Sequence, residues 1–379
     1  NEMVLFLFPI DVPSRRSRNL IIRQTTGSDR VGDSPHLRVD GHIVAMGPTR
    51  QAIRTGHQHY VMLTDTPGLH HVTGIVGDAQ DAIDFYSGVL GLRLVIQTVN
   101  FEDILQHHLY FGDAAGTPGT VLTQFPDPHG DPGRHGSPQV ESVSFVVPSG
   151  TLTHWHARLE AHDLAVEGPL ERFGDRVLRL EDPAGTRIEL VAGPSVPSDI
   201  DPWTAGSVPA ADAIRGLHGV STLSTNPYAT AGLLETLGFE YETETDDRVR
   251  YRAPGTRATV VDVLDRDVPF GREGAGTLHH VAVRVEGEAD LHEWRTLFDD
   301  RDYDVSRVKD RHFFHSLYVR EPGGILFELA TETDGVAASD DAGAPGESLY
   351  LPDRFEADRD LIESQLPTLR VPTGRDKYR

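Results

Sequence analysis

The hydrophobic pattern of the chain falls into four stretches with one grammar. Each has a short alternating strand, an amphipathic helix, and further strands ending in a Gly-containing turn and a final strand. The first opens at Leu69-His70-His71-Val72. Asp78 is a good N-cap for its helix, Ile83, Tyr86 and Leu90 share its apolar face, and Gly91 supplies a stop signal. The second opens at Val140-Glu141-Ser142-Val143, places Leu152, Trp155 and Leu159 in helical register, and closes through Pro183-Ala184-Gly185 into Ile188-Glu189-Leu190. A Pro-rich stretch near residues 194–209 reads as a linker. The third opens at Leu217-His218-Gly219-Val220, carries Leu233, Leu234 and Leu237 on a helix, and ends at Val260-Val261-Asp262. The fourth opens at Leu278-His279-His280-Val281, carries Leu291, Trp294 and Phe298, and closes through Pro322-Gly323-Gly324 into Phe327-Glu328-Leu329.

Each stretch is a βαβββ module, too small to bury its sheet alone, so modules should pair. The pattern predicts an α+β fold in which four βαβββ modules form two paired, cup-shaped mixed sheets with a ligand site inside a cup. The expected divisions are a basic extension over residues 1–61, an N-terminal pair of modules over 62–193, a linker over 194–215, a C-terminal pair over 216–331, and an acidic tail over 332–379 with a short helix near residues 355–365.

Charge and composition narrow the function. The net charge of -23 is dispersed along the chain, and only two lysines occur, Lys309 and Lys377. Such a surface argues against nucleic acid or anionic membrane as partner and reads as adaptation to high salt. Residues 1–61 break the trend with eight Arg and five acids, so residues 62–379 carry -26. That contrast, with Met62 just ahead of the first module, suggests translation from Met62. The chain has no cysteine, which excludes thiolate metal sites, and no apolar run long enough to span a bilayer. The expected location is the cytoplasm, with homo-oligomerisation open.

Strand alternation sorts the chemistry. The second His of each His-His pair, together with Glu328, should face the cup, and the first should sit behind it. Aligning the modules puts His71, Ser142, Gly219 and His280 at one position and Thr123, Glu189, Asp262 and Glu328 at the closing one. Pairing the first module with the fourth gathers two His and one Glu, the ligand set of a non-haem Fe(II) site with open positions. Pairing the second with the third gathers Ser, Gly, Glu and Asp, a poor transition-metal site. His218 becomes a competing ligand if the third and fourth pair instead. Arg311 and Tyr318 are candidates for stabilising an anion and moving a proton. His107, His108 and Tyr110 lie on a strand near the same cup, His107 in an ordinary packing role.

The chain resembles the vicinal oxygen chelate superfamily of glyoxalases, bleomycin-resistance proteins and extradiol dioxygenases. It is most similar to ring-cleaving dioxygenases of the chlorohydroquinone 1,2-dioxygenase type. Leu69-His70-His71-Val72-Thr73, His108-Leu109-Tyr110-Phe111-Gly112-Asp113, Gly116-Thr117-Pro118-Gly119-Thr120, the second His pair, Tyr318-Val319-Arg320 and Pro322-Gly323-Gly324 before Phe327-Glu328 carry the resemblance, over about residues 67–366. It implies His71, His280 and Glu328 as Fe(II) ligands, with Mn(II) as a substitute, and His70, Arg311 and Tyr318 as pocket residues. The strand argument turns His70 away from the cup. The implied reaction inserts O2 into a hydroquinone-type aromatic diol. The alternatives on the same fold are a glyoxalase- or epimerase-like lyase or isomerase, and a metal-free binding protein of the resistance type.

Overall fold

The computed structural model describes residues 63–193, 197, 199–336 and 346–371, together with the backbone of four short strands nearer the N-terminus. The chain divides into two compact units, residues 1–49 and 50–379. The described part of the first is one antiparallel pair, His36–Val39 with His42–Ala45. The second unit begins with a similar pair, Ala52–Arg54 with Tyr60–Met62. The expectation of a non-native or unstructured basic segment over 1–61 falls largely outside the described residues.

From Leu69 onward the second unit is α+β and sheet-dominated, built of four βαβββ modules. Their opening and closing strands are Leu69–Val76 and Val121–Pro126, Gln139–Val146 and Arg187–Ala192, Leu217–Leu223 and Val260–Leu264, and Thr277–Val285 and Leu326–Thr331. The module helices are Ala79–Ile83, Leu152–Ala161, Pro227–Thr236 and Glu288–Asp300. The first starts as its sequence predicts, with the Asp78 carboxylate accepting from the amides of Gln80 and Asp81. It then widens to π geometry over Asp84–Val89, which buries Phe85 and Tyr86 together.

Within every module the opening strand runs parallel to its own closing strand. Between modules the opening strands pair antiparallel, the first with the fourth and the second with the third. The two modules on each side of the linker thus contribute one member to each cup. One hydrophobic cluster holds the helices to the outer faces of the strands, with Trp155, Trp294, Phe145 and Phe327 fully buried. A smaller cluster of Val95, Ile96, Tyr110, Ala282, Phe314 and Ala330 lines the inner face of the first cup.

The antiparallel seams are not regular. In the first cup His280 pairs with Thr73 and Leu278 with Gly74, which leaves His279 as an extra residue; Ala282 pairs with His71 and Val283 with Leu69, which leaves His70 as another. In the second cup the extra residues are His218 and Glu141. A bulge re-aims its side chains and increases local twist, and each cup carries two of them at matching positions.

The tail helix expected near residues 355–365 is present as two pieces, Asp353–Glu356 and Arg359–Gln365. Leu351 and Ile362 bury against Val99 of the first module, and Leu349 bridges to Gln97. No helix among the described residues is long and apolar enough to cross a membrane.

Candidate metal centre

The seam of the first cup brings together three of the residues singled out from sequence. His71 stands opposite Ala282, and Ala282 stands beside Glu328 on the closing strand, so a single methyl separates histidine from carboxylate across the sheet. The Nε2 atoms of His71 and His280 lie 3.2 Å and 2.8 Å from Oε2 of Glu328 and 3.4 Å from each other. All three residues are buried, with one donor atom from each within 4.8 Å of the others.

This donor set fits a divalent metal. Both oxygens of Glu328 are buried without a well-aligned hydrogen-bond partner, a state that is costly unless a cation completes it. Burial opposes ionisation of Glu328, yet His71 and His280 hold its carboxyl well below the usual range. Burial pushes His280 down to about 4 against the pull of Glu328, so its imidazole is neutral near pH 7 and offers a lone pair.

The bulges supply what strict alternation would not. Rather than pointing to opposite faces, neighbouring histidines touch. Nδ1 of His70 is 2.9 Å from Nδ1 of His71, and Nδ1 of His279 is 2.7 Å from Nδ1 of His280. A proton carried on Nδ1 of His71 or His280 and shared with its neighbour leaves Nε2 free to ligate, the tautomer a metal requires. The first histidines differ in exposure. His70 is buried against His71 and Phe314, whereas His279 reaches the cavity wall.

Tyr318 stands opposite Glu328 in the ladder, with its ring edge-on to His280 at 5.5 Å between centroids. Its hydroxyl accepts from Nη2 of Arg311 at 3.0 Å, and Arg311 also pairs with Glu102 at 3.2 Å. Burial, followed by the nearby Glu328 carboxylate, pushes the Tyr318 phenol far up, so it holds its proton. A cavity of about 400 Å³ opens above the cluster, walled by Tyr110, Phe125, Phe314 and Tyr318 and edged by His108 and Arg311. That is room for a single aromatic ring. His107 bonds the carbonyl of Pro367 at 3.1 Å, in a packing role. The sequence reading gave no role to Thr73, although it shares the face of His71 two residues away; it bonds both Nε2 of His280 and Oγ1 of Thr123.

The second cup has the same backbone and different contents. Glu189 accepts two bonds from Arg172 at 2.6 and 2.7 Å and one from Arg179. Asp262 is held by Arg248 and Arg250. His218 lies here, 3.7 Å from Asp175, and not with the His71 cluster. Gly219 occupies the place of His280, and a Cβ there would fall 2.1 Å from the carbonyl oxygen of Val260.

Comparison with known proteins places these features. The model of the Glyoxalase/Bleomycin resistance protein/Dioxygenase superfamily matches residues 68–190 and 233–329. A Bacillus subtilis (strain 168) protein named "Putative ring-cleaving dioxygenase MhqO" is 41% identical over 311 residues, 82% of this chain and 99% of its own. The chlorohydroquinone/hydroquinone 1,2-dioxygenase of Sphingobium indicum is 33% identical over 307 residues, 78% of this chain and 94% of its own. A crystal structure from Bacillus subtilis subsp. subtilis str. 168 superposes with a TM-score of 0.77 at 41% identity, covering 81% of this chain and 99% of that one. Glyoxalase I from Zea mays, at 14% identity and a TM-score of 0.51 over 70% of this chain and 92% of its own, shares the fold.

Proposed function

The chain belongs to the glyoxalase/bleomycin resistance protein/dioxygenase superfamily, and from that premise we propose that it is an Fe(II)-dependent ring-cleaving dioxygenase acting on a hydroquinone-type diol. The observation that carries this reading is the buried convergence of His71, His280 and Glu328 at the floor of a ring-sized cavity. Two imidazoles and one carboxylate on one side leave the other side open, the arrangement suited to non-haem iron and, with less discrimination, to manganese. The names of the Bacillus and Sphingobium relatives support the reaction class and the diol.

In this reading His71, His280 and Glu328 hold the metal, and His70 and His279 fix the tautomers of the two imidazoles. When bound, iron supplies Lewis acidity and adjacent open positions at which the ionised diol and O2 meet. Phe314, Tyr110 and Phe125 confine the ring over the cluster. Arg311 faces the anion that develops as the ring opens, and Tyr318, which keeps its proton, donates to it.

The test is O2 uptake by anaerobically Fe(II)-loaded protein in high salt, offered hydroquinones and catechols. Stoichiometric uptake with a ring-opened chromophore is expected, greatest with a hydroquinone. Tightly bound metal without uptake would move the assignment to a lyase or isomerase, and no bound metal would point to a binding protein.

A further inference from the structure

Three short hydrogen bonds lead out of the metal-ligand cluster and end on a residue to which the reaction above gives no part. Oγ1 of Thr73 is 2.9 Å from Nε2 of His280 and 2.8 Å from Oγ1 of Thr123. Oγ1 of Thr123 is 2.9 Å from Nε2 of His108. Both threonines are fully buried, so each single hydroxyl proton is committed to this chain. His108 stands at its end in the cavity wall, its ring against Tyr110 and Phe125 at 4.3 and 4.2 Å between centroids.

We propose that Thr73, Thr123 and His108 form a proton relay that removes the hydroxyl proton of a diol bound at the cluster. The proposal rests on the reading of the site given above. Its direction follows from counting protons. If Nδ1 of His108 carries the imidazole proton, Nε2 accepts from Thr123, Thr123 accepts from Thr73, and the Thr73 oxygen is left as an acceptor facing the cluster. In the metal-free protein His280 can donate to it. Once His280 has given its Nε2 lone pair to a metal it can no longer do so, and Thr73, a residue of the cavity lining, has an acceptor to offer the diol.

The step balances without electron transfer. The diol O–H bond breaks and an O–H bond forms at Thr73. The Thr73 proton passes to Thr123, the Thr123 proton passes to Nε2 of His108, and the Nδ1 proton leaves into the cavity. His108 offers the Nε2 lone pair because burial, reinforced by His71, Arg311 and His280 and opposed by Glu328, keeps its imidazole neutral, and it stays neutral through the step by releasing the Nδ1 proton as Nε2 gains one. His108 and Thr123 act through Thr73, which makes them positioning residues for the ionisation.

The experiment is anaerobic rapid mixing of Fe(II)-loaded protein with 2-nitrohydroquinone, whose ionised form absorbs at longer wavelength. The wild type should bind it as the anion. Thr123→Val, which keeps the side-chain shape, should form the anion about 10²-fold more slowly with unchanged iron content. His108→Gln should behave likewise, and Thr123→Ser should restore the rate. Wild-type rates in Thr123→Val and His108→Gln would overturn the relay and leave the site reading standing; no complex with the wild type would overturn both. A second readout needs no metal: long-range 1H–15N spectra should place the His108 proton on Nδ1, and a proton on Nε2 would reverse the chain and end the proposal.

Discussion

The two cups of this protein have one backbone and opposite contents. Each joins two opening strands across an antiparallel seam with a bulge at either side, and each carries a carboxylate on a closing strand beside that seam. In the first cup Glu328 meets the imidazoles of His71 and His280, and neither of its oxygens has a well-aligned hydrogen bond. In the second, Glu189 and Asp262 are each saturated by a pair of guanidiniums, and Gly219 has no space for any side chain where His280 stands. A carboxylate in a cup is therefore not in itself a ligand. What separates the two cups is whether positive charge is built into the protein or left to be brought by an ion.

The sharpest break of this comparison removes a donor from the first cup. Glu328→Ala or His280→Ala should abolish iron binding and turnover, since two remaining donors do not hold a labile divalent ion through desalting. Ser142→Ala, at the place matching His71, should leave both nearly intact. Iron content after anaerobic loading reads this directly, and stoichiometric iron in Glu328→Ala would move the metal out of this cup. The same contrast inverts for stability. Asp262→Ala strands the buried Arg248 and leaves the buried Arg250 with Asp175 alone, and should cost about 3–5 kcal/mol in urea unfolding. Glu328→Gln in metal-free protein should cost less, because it removes a buried charge without leaving a guanidinium behind.

These cups were unequally legible in the sequence. The convergence of His71, His280 and Glu328 followed from period-two alternation and from the match between modules, even though the seam slips by one residue beside each histidine. The same rule sets both first histidines behind the cup; His70 lies buried against His71 and Phe314, whereas His279 reaches the cavity wall. His70 and His279 are bulge residues, and a bulge depends on how two distant strands register, which no local pattern records. The filling of the second cup was hidden for a related reason. Arg172 reaches Glu189 within the second module and Arg248 and Arg250 reach Asp262 within the third, each from a middle strand whose register against the closing strand no local pattern records. The tail pattern near residues 355–365 reads as one short helix, whereas the chain forms two there, Asp353–Glu356 and Arg359–Gln365.

A milder change sharpens the assignment inside the first cup. Tyr318→Phe keeps the ring beside His280 and removes the hydroxyl that Arg311 donates to. Turnover should fall about 10²-fold, the usual worth of one positioned proton donor, with iron content unchanged. Loss of iron along with activity would make Tyr318 a structural support of the metal cluster instead.

The smallest effect lies in the second cup and is a matter of slope. Burial, followed by the Arg250 charge, pushes His218 down to about 4, while the unfolded chain protonates it near ~6.5. Between those values the unfolded state binds a proton that the folded state does not, so stability falls as pH drops from about 6.5 through 4. One such group contributes a slope of at most ~1.4 kcal/mol per pH unit. His280 contributes in the same direction with or without metal, since a ligated Nε2 takes up no proton either, so the two cups both add to the slope. His218→Asn should therefore flatten the plot of urea midpoint against pH in metal-loaded protein while leaving iron content and turnover at neutral pH unchanged. An unaltered slope would mean that Asp175, 3.7 Å away, meets the incoming proton and keeps His218 near its ordinary value, which would make the second cup a place where charge is shared rather than locked.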